Sequence, residues 1–192
     1  MRADRPKTKR SRLGREDFLA RSLEILSKDG ESKLRIDRLV KALGVTKGSF
    51  YWHFENRSDF VVGLAEYWHR YTNERVFEEL AKVDDGPKAQ LIKIHELVTR
   101  YDLPKYDLVM RSWATHEPDV AKIVRSVDRE RFEVVSGLFR RLGFEGEDLD
   151  IRTRTFIVTT SLWPAITQRE SKKIRLQHLA AVLELLTAPI ER

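Results

Sequence analysis

Two short helix-forming stretches separated by a glycine occupy residues 36–60, which read IDRLVKALGVTKGSFYWHFENRSDF. The first stretch carries apolar residues at helical spacing, namely Ile36, Leu39, Val40 and Leu43. Such spacing predicts a helix with one buried face. Gly44 is expected to end this helix in a left-handed conformation, and Thr46 is a good N-cap for a second helix over 47–54. A helix, a tight turn and a second helix together predict a helix-turn-helix.

The second of these helices is too polar and too aromatic to be an ordinary core element. Phe50 and Phe54 give it an apolar anchor. The rest of its surface offers Lys47, Ser49, Tyr51, Trp52 and His53. In a helix-turn-helix the second helix enters the DNA major groove with its N-terminal residues against the base edges. The pattern therefore predicts that this helix binds double-stranded DNA.

The positive charge of the chain is concentrated around this motif. The 192 residues carry 36 Lys and Arg against 30 Asp and Glu, for a net charge of +6. Residues 1–57 hold 15 basic and 8 acidic residues, whereas residues 58–192 hold 21 and 22. The excess thus lies entirely in the first part of the chain, as expected of a domain that neutralises phosphates.

Composition narrows the class of protein. The absence of cysteine removes disulfides, thiolate metal sites and cysteine nucleophiles, and it suits a reducing cytoplasm. No apolar run approaches the roughly 20 residues that cross a bilayer, and no apolar stretch follows the basic N-terminus as in a secretory signal. We expect a cytoplasmic protein with no membrane partner and no cofactor.

Every periodic segment of the sequence is helical, so the predicted fold is all-α with about nine helices. Residues 1–14 hold six basic residues and one acid without a hydrophobic period, and we expect a flexible basic arm. Residues 15–60 are predicted to form a three-helix DNA-binding domain. Residues 61–192 are predicted to form a second helical domain, joined to the first by a long fourth helix.

Three helices, of which the third reads VTKGSFYWHFENRSDF, followed by a long connecting helix and an all-α remainder, resemble the TetR (tetracycline repressor) family of bacterial regulators. The match is strong over roughly residues 15–65. The resemblance implies a homodimer that binds an inverted-repeat operator and usually represses until a small-molecule effector binds the C-terminal domain.

The resemblance also assigns roles to individual positions. Lys47 and Ser49 fall where family members touch base edges, with Gly48 allowing close approach. Tyr51 matches a position that contacts a base or a phosphate. The positions that usually hold the phosphate backbone are Thr46, Trp52, His53 and Arg57.

One departure from the family pattern concerns the start of the second helix. Family members often place Ser or Thr there, as a cap and phosphate ligand, whereas this chain has Arg35-Ile36-Asp37. A carboxylate near phosphates opposes binding unless a cation such as Arg35 or Arg38 offsets it.

Two further surfaces are predicted in the C-terminal part. An effector pocket for an apolar or aromatic small molecule is expected among large residues, namely Met110, Trp113, His116, Phe139 and Trp163. A dimer interface is expected on the last two helices, which would form a four-helix bundle with a second copy through Phe156, Thr160, Leu176, Leu179, Leu183 and Leu186.

Two alternatives remain open from the sequence. A protein that compacts DNA without sequence preference would use the basic arm and predicts steep salt dependence. An all-α enzyme for a small molecule is the other, although the sequence has no nucleophile–base pair, metal-ligand spacing or cofactor motif. Neither catalytic residues nor metal ligands are therefore predicted.

Overall fold

The computed structural model describes residues 13–166 and 171–189, and every regular element in this part of the chain is helical. Most of the predicted basic arm, residues 1–12, lies outside the described residues. The α-helices are α1 Arg15–Asp29, α2 Ile36–Leu43, α3 Lys47–His53, α4 Arg57–His69, α5 Arg75–Leu80, α6 Pro87–Arg100, α7 Pro104–Ala114, α8 Pro118–Arg141, α9 Gly146–Ile166 and α10 Lys172–Thr187. A 3₁₀ turn, Glu31–Leu34, precedes α2.

A single long helix connects the two halves of the chain. A π turn, Arg70–Glu74, links α4 to α5 without leaving helical backbone angles, so residues 57–80 are one continuous helix. Counted in this way, the described residues contain nine helices, which confirms the predicted all-α fold. A π turn inserts an extra residue into a helix and often occurs at a functional site.

The helix boundaries around the helix-turn-helix confirm the capping roles predicted for Gly44 and Thr46. Gly44 has φ 67° and ψ 29°, the left-handed conformation that ends α2. The Thr46 hydroxyl accepts a hydrogen bond from the Ser49 backbone N–H at 3.2 Å and caps α3. The Asn56 side chain accepts one from the Asp59 N–H at 3.0 Å and caps α4.

Four phenylalanine rings hold α1, α3 and the start of the long helix together. Phe18, Phe50, Phe54 and Phe60 are buried and lie in mutual contact, with ring centroids 5.2 to 6.3 Å apart. Most pairs meet edge to face, the favoured aromatic geometry. Because Phe50 belongs to α3, this cluster fixes how α3 is presented to solvent.

The C-terminal part is built on α8, which packs against α4, α6, α7 and α9. His95 of α6 is buried within it, where its ring lies 4.4 Å from the Phe156 ring and its Nδ1 is 3.0 Å from the Thr160 hydroxyl. The His95 Nε2 has no hydrogen-bond partner among the described residues.

Replacing His95 by Gln is expected to reduce the loss of stability in acid. Burial lowers the pKa of His95 from 6.5 to about 4, so the unfolded chain takes up this proton first as the pH falls. The folded state therefore loses stability between pH 6.5 and pH 4, by an amount on the order of 3 kcal/mol. Glutamine does not titrate and can still bond Thr160. Urea denaturation at pH 7 and pH 4.5 checks this, and an equal loss in both proteins would show that His95 does not titrate there.

Candidate nucleic-acid interface

A surface groove of about 770 Å³ runs beside α3, the helix that is predicted to enter the major groove and is called the recognition helix below. Five of the eight predicted DNA-binding residues line it, namely Thr46, Gly48, Ser49, Trp52 and His53. The other lining residues are Leu13, Arg21, Leu43, Gly44 and Val45. The turn between α2 and α3 and the outer face of α1 thus form one concave surface with the exposed side of α3. A groove next to a recognition helix offers room for a sugar-phosphate backbone.

Two large aromatic side chains of α3 point away from the core. Trp52 is 82% exposed and Tyr51 is 54% exposed, although the edge of the Tyr51 ring touches Phe50 at a centroid distance of 5.2 Å. An indole left in water forgoes the burial of a large apolar surface. Both side chains are therefore available to contact a partner of α3.

Lys47, the lysine predicted to contact a base, forms an ion pair with Asp37. Asp37 lies at the start of α2, where the sequence departs from the family pattern. The Lys47 Nζ lies 2.5 Å from Asp37 Oδ1, and both side chains are exposed. The hydrogen bond to Asp37 raises the pKa of Lys47. Asp37 does not cap α2, whose N-cap is Arg35 without a side-chain bond. The carboxylate on this surface is thus offset by Lys47 rather than by Arg35 or Arg38, and Lys47 must leave it to reach a base.

The two remaining predicted phosphate ligands contact the protein itself. His53 Nε2 is 2.9 Å from the Leu13 carbonyl oxygen, so this ring ties the end of α3 to the start of α1. Arg57, the first residue of α4, forms an ion pair with Glu117 in the turn before α8. The adjacent His116 pairs with Glu31 of the 3₁₀ turn. The turn between α7 and α8 is therefore fastened to the helix-turn-helix part at two points.

Gly48 has no structural need to be glycine. A Cβ atom built there meets nothing closer than the Thr46 hydroxyl oxygen at 3.7 Å, an ordinary contact, and its backbone is regular α-helix. Glycine costs a helix about 1 kcal/mol relative to alanine. The residue is thus explained better by the close approach of a binding partner than by the fold.

Gly48→Ala is expected to shift stability and DNA binding in opposite directions. Alanine should stabilise the protein by up to about 1 kcal/mol, since it favours the helix and causes no clash. DNA affinity should fall about tenfold, because the new methyl group lies where the resemblance places the DNA. Denaturation measures the stability of the variant, and fluorescence anisotropy on the same preparation measures its affinity for DNA. Unchanged affinity would remove Gly48 from the interface.

Glu117→Gln is expected to tighten DNA binding by up to about fivefold. The neutral side chain releases Arg57 for a phosphate, and the effect is bounded by the ~1 kcal/mol that an exposed ion pair contributes. Glu31→Gln is the matched control, since it breaks the second contact of the same turn without freeing a predicted DNA ligand. Weaker binding by Glu117→Gln would mean that Glu117 orients Arg57 for DNA rather than competing with it.

The structure does not bring the five predicted effector-pocket residues together. Met110, Trp113 and Phe139 are buried in the core, His116 pairs with Glu31 at the surface, and Trp163 lies against His178 of α10. A cavity of about 40 Å³ lies instead where the π turn meets α6, α8 and α9. Its lining comprises Thr72, Asn73, Val76, Phe77, Ile94, Val98, Leu103, Asp107, Arg131, Val135, Phe156, Ile157, Thr160 and Ser161. None of the five predicted residues is among them.

The predicted dimer residues also separate into two groups. Phe156, Thr160, Leu179 and Leu183 are buried within the chain itself, so the intact fold cannot offer them to a second copy. Leu186 is partly buried, and Leu176 is 41% exposed. Helical spacing found the apolar stripe of α10, but this stripe packs onto the chain's own core. Among the described side chains of α9 and α10, the large apolar ones that are exposed are Ile151, Val158, Ile174, Leu176 and Leu185.

Sequence reasoning missed three residues that the structure places at the candidate surfaces. Arg21 of α1 lines the groove beside α3, Glu117 holds Arg57, and Arg131 of α8 lies at the wall of the cavity. Each of these three residues meets groups that lie far away in the sequence. The helical spacing of a sequence shows that such a residue is polar, but it does not show what the residue contacts. Among the described residues no cluster of His, Asp and Glu could hold a metal ion, and no helix there has the length and apolar content to cross a membrane.

Comparisons with known proteins agree with this geometry. Residues 18–64 match the family of bacterial regulatory proteins described as the tetR family. The HTH-type transcriptional regulator AcrR of Shigella flexneri is 34% identical over 85 residues, which are 43% of this chain and 40% of that protein. The chain therefore matches less than half the length of this curated relative.

Solved structures extend the likeness to the whole fold. A transcriptional regulator from Saccharomonospora viridis in complex with choline superposes with a TM-score of 0.75 at 16% identity, covering 88% of this chain and 95% of that one. AibR in complex with isovaleryl coenzyme A and operator DNA gives 0.72 at 14% identity, covering 92% and 100%. At such identities the likeness establishes the helical architecture of both halves.

Proposed function

We propose that this chain, which belongs to the tetR family of bacterial regulatory proteins, is a ligand-responsive transcriptional regulator that binds an inverted-repeat operator as a homodimer. The observation that carries the proposal is the surface of α3. Its exposed side offers Lys47, Ser49 and Tyr51 next to a groove, while its other side is fixed by the phenylalanine cluster. A rigid helix with a polar N-terminal face is what major-groove reading requires.

The dimer is proposed to form through the outward faces of α9 and α10. Ile174, Ala181 and Leu185 lie on one side of α10 at spacings of seven and four residues, and His178 between them contacts Trp163 of α9. On α9, Ile151 and Val158 lie two turns apart on one exposed face. A second copy would cover these side chains and complete the four-helix bundle expected of the last two helices.

The effector is proposed to bind at the cavity between the π turn and α9. At about 40 Å³ the cavity is far smaller than the roughly 300 Å³ of an ordinary ligand pocket, so a ligand must open it. The wall includes Thr72, Asn73, Val76 and Phe77, which all belong to the long helix that carries the DNA-binding part. A ligand that displaces this wall moves α4, and its preference for the opened state shifts the population away from the state that binds DNA.

The test of this function is selection of bound sequences from a random double-stranded DNA library by the purified protein without added ligand. An enriched inverted repeat, with half-sites about 10 base pairs or a multiple apart, supports a specific dimeric regulator. Enrichment of no sequence, with binding that disappears as salt rises, supports the non-specific alternative instead. Footprinting on the selected sequence then gives the protected length.

A further inference from the structure

An internal ion pair neutralises the polar end of the cavity. Arg131 of α8 and Asp107 of α7 face each other with Nη1 2.6 Å from Oδ2 and Nη2 3.2 Å from Oδ1. The Arg131 side chain is 12% exposed and that of Asp107 is 3% exposed. Both residues line the cavity, so a ligand that enters it meets a pair whose charges already cancel.

The hydrogen-bond donors of Arg131 are also used up. A guanidinium has five N–H donors and no acceptor. Besides its two bonds to Asp107, Arg131 donates from Nε to Asn73 Oδ1 at 2.8 Å, from Nη2 to Thr72 Oγ1 at 3.3 Å and, more weakly, from Nη1 to Ser161 Oγ at 3.5 Å. Asp107 also accepts from Trp68 Nε1 at 3.1 Å. A carboxylate ligand therefore finds no free N–H of Arg131 here, and an ammonium ligand finds Asp107 already paired with Arg131 and Trp68.

One hydroxyl group, that of Ser161, remains available at the same end of the cavity. The Ser161 hydroxyl accepts weakly from Arg131 and has no acceptor for its own proton among the described residues. Eight of the fourteen lining side chains are purely apolar, such as Val76, Ile94 and Val135. The environment thus combines an apolar wall with neutral hydrogen-bonding groups and without free charge.

From these contacts we infer that the cavity selects an uncharged, mainly apolar ligand with a single hydrogen-bonding group, such as an alcohol or ketone, and rejects a carboxylate or an ammonium on the same carbon skeleton. This inference rests on the proposed effector site and specifies its ligand class. A charged ligand would lose its hydration without gaining a free opposite charge, because Asp107 acts as the built-in counterion of Arg131. Asp107 is therefore the residue that sets the specificity.

The experiment compares hexan-1-ol, hexanoate and hexylammonium at pH 8 by titration calorimetry on the full chain. The wild-type protein should bind the alcohol at least tenfold more tightly than either ion. Asp107→Asn leaves Arg131 without its counterion and keeps an oxygen for Trp68, so hexanoate should then bind more tightly than hexan-1-ol. Asp128→Asn is the matched control: it removes the partner of Arg111 in another α7–α8 ion pair outside the cavity lining, and it should keep the wild-type order.

A second variant keeps the inference testable if Asp107→Asn does not fold. Ser161→Ala removes the free hydroxyl and should weaken the binding of hexan-1-ol while leaving hexanoate rejected. Hexanoate binding to the wild type as tightly as the alcohol would overturn the inference while leaving the effector site in place. If none of the probes binds the wild type or a folded variant, both this inference and the proposed effector site fail, whereas operator selection still tests DNA binding separately.

Discussion

Leu185→Asp is expected to convert the proposed dimer into monomers and to lower operator affinity by more than a hundredfold. Leu185 is 75% exposed, so the change places a carboxylate on the surface and should leave the monomer fold intact. Across a twofold interface each substitution is present twice, and two desolvated carboxylates oppose association. A monomer retains only one of two half-site contacts, which removes the gain from joining two recognition helices. Analytical ultracentrifugation and anisotropy on a selected operator measure both effects.

Leu176→Asp is the matched control for this interface. Leu176 lies on the same helix but is turned by about half a turn from Leu185, and the sequence placed it in the dimer stripe. If the proposed face is correct, Leu176→Asp remains a dimer. If Leu176→Asp dissociates into monomers while Leu185→Asp remains a dimer, the interface predicted from the sequence is correct and the face proposed here is wrong. Leu183→Asp cannot decide between the two faces, because Leu183 is buried and the carboxylate would destabilise the fold itself.

The N-terminal half could be read from the sequence because its signals are local. Gly44 and Thr46 act on the backbone within a few residues of themselves, and the helix-turn-helix is a short contiguous unit. The order of the residues in α3 directly predicts that one side of the helix is polar. Helix caps and turns were therefore sufficient to predict the helices of this part, because they do not depend on the rest of the chain.

The C-terminal surfaces could not be read in the same way. An apolar stripe such as Leu179 and Leu183 shows that a helix has a buried face, but intrachain and intersubunit burial have the same period. The cavity depends on Asp107 and Arg131, which lie on different helices and meet only after the chain has folded. Large aromatic residues such as Trp113 fill the core as readily as they line a pocket, and volume alone does not separate the two cases.

Phe50→Ala is expected to lower the free energy of unfolding by about 3–5 kcal/mol and to abolish operator binding. Phe50 is fully buried and touches Phe18, Phe54 and Phe60. Its removal leaves a cavity beneath α3, which is only seven residues long and too short to keep its structure without tertiary packing. Phe50→Leu, which retains most of the volume, should cost less than about 1.5 kcal/mol and preserve part of the binding.

Trp52→Ala separates the two sides of α3 in the same assays. Because Trp52 is mostly exposed, its loss should change stability by no more than about 0.5 kcal/mol while operator affinity falls. Phe50→Ala is thus expected to lower both the free energy of unfolding and the operator affinity, whereas Trp52→Ala is expected to lower the operator affinity alone. Loss of stability in Trp52→Ala comparable to that in Phe50→Ala would mean that Trp52 is buried against a part of the protein, and the exposed face of α3 would no longer be available as the DNA-reading surface.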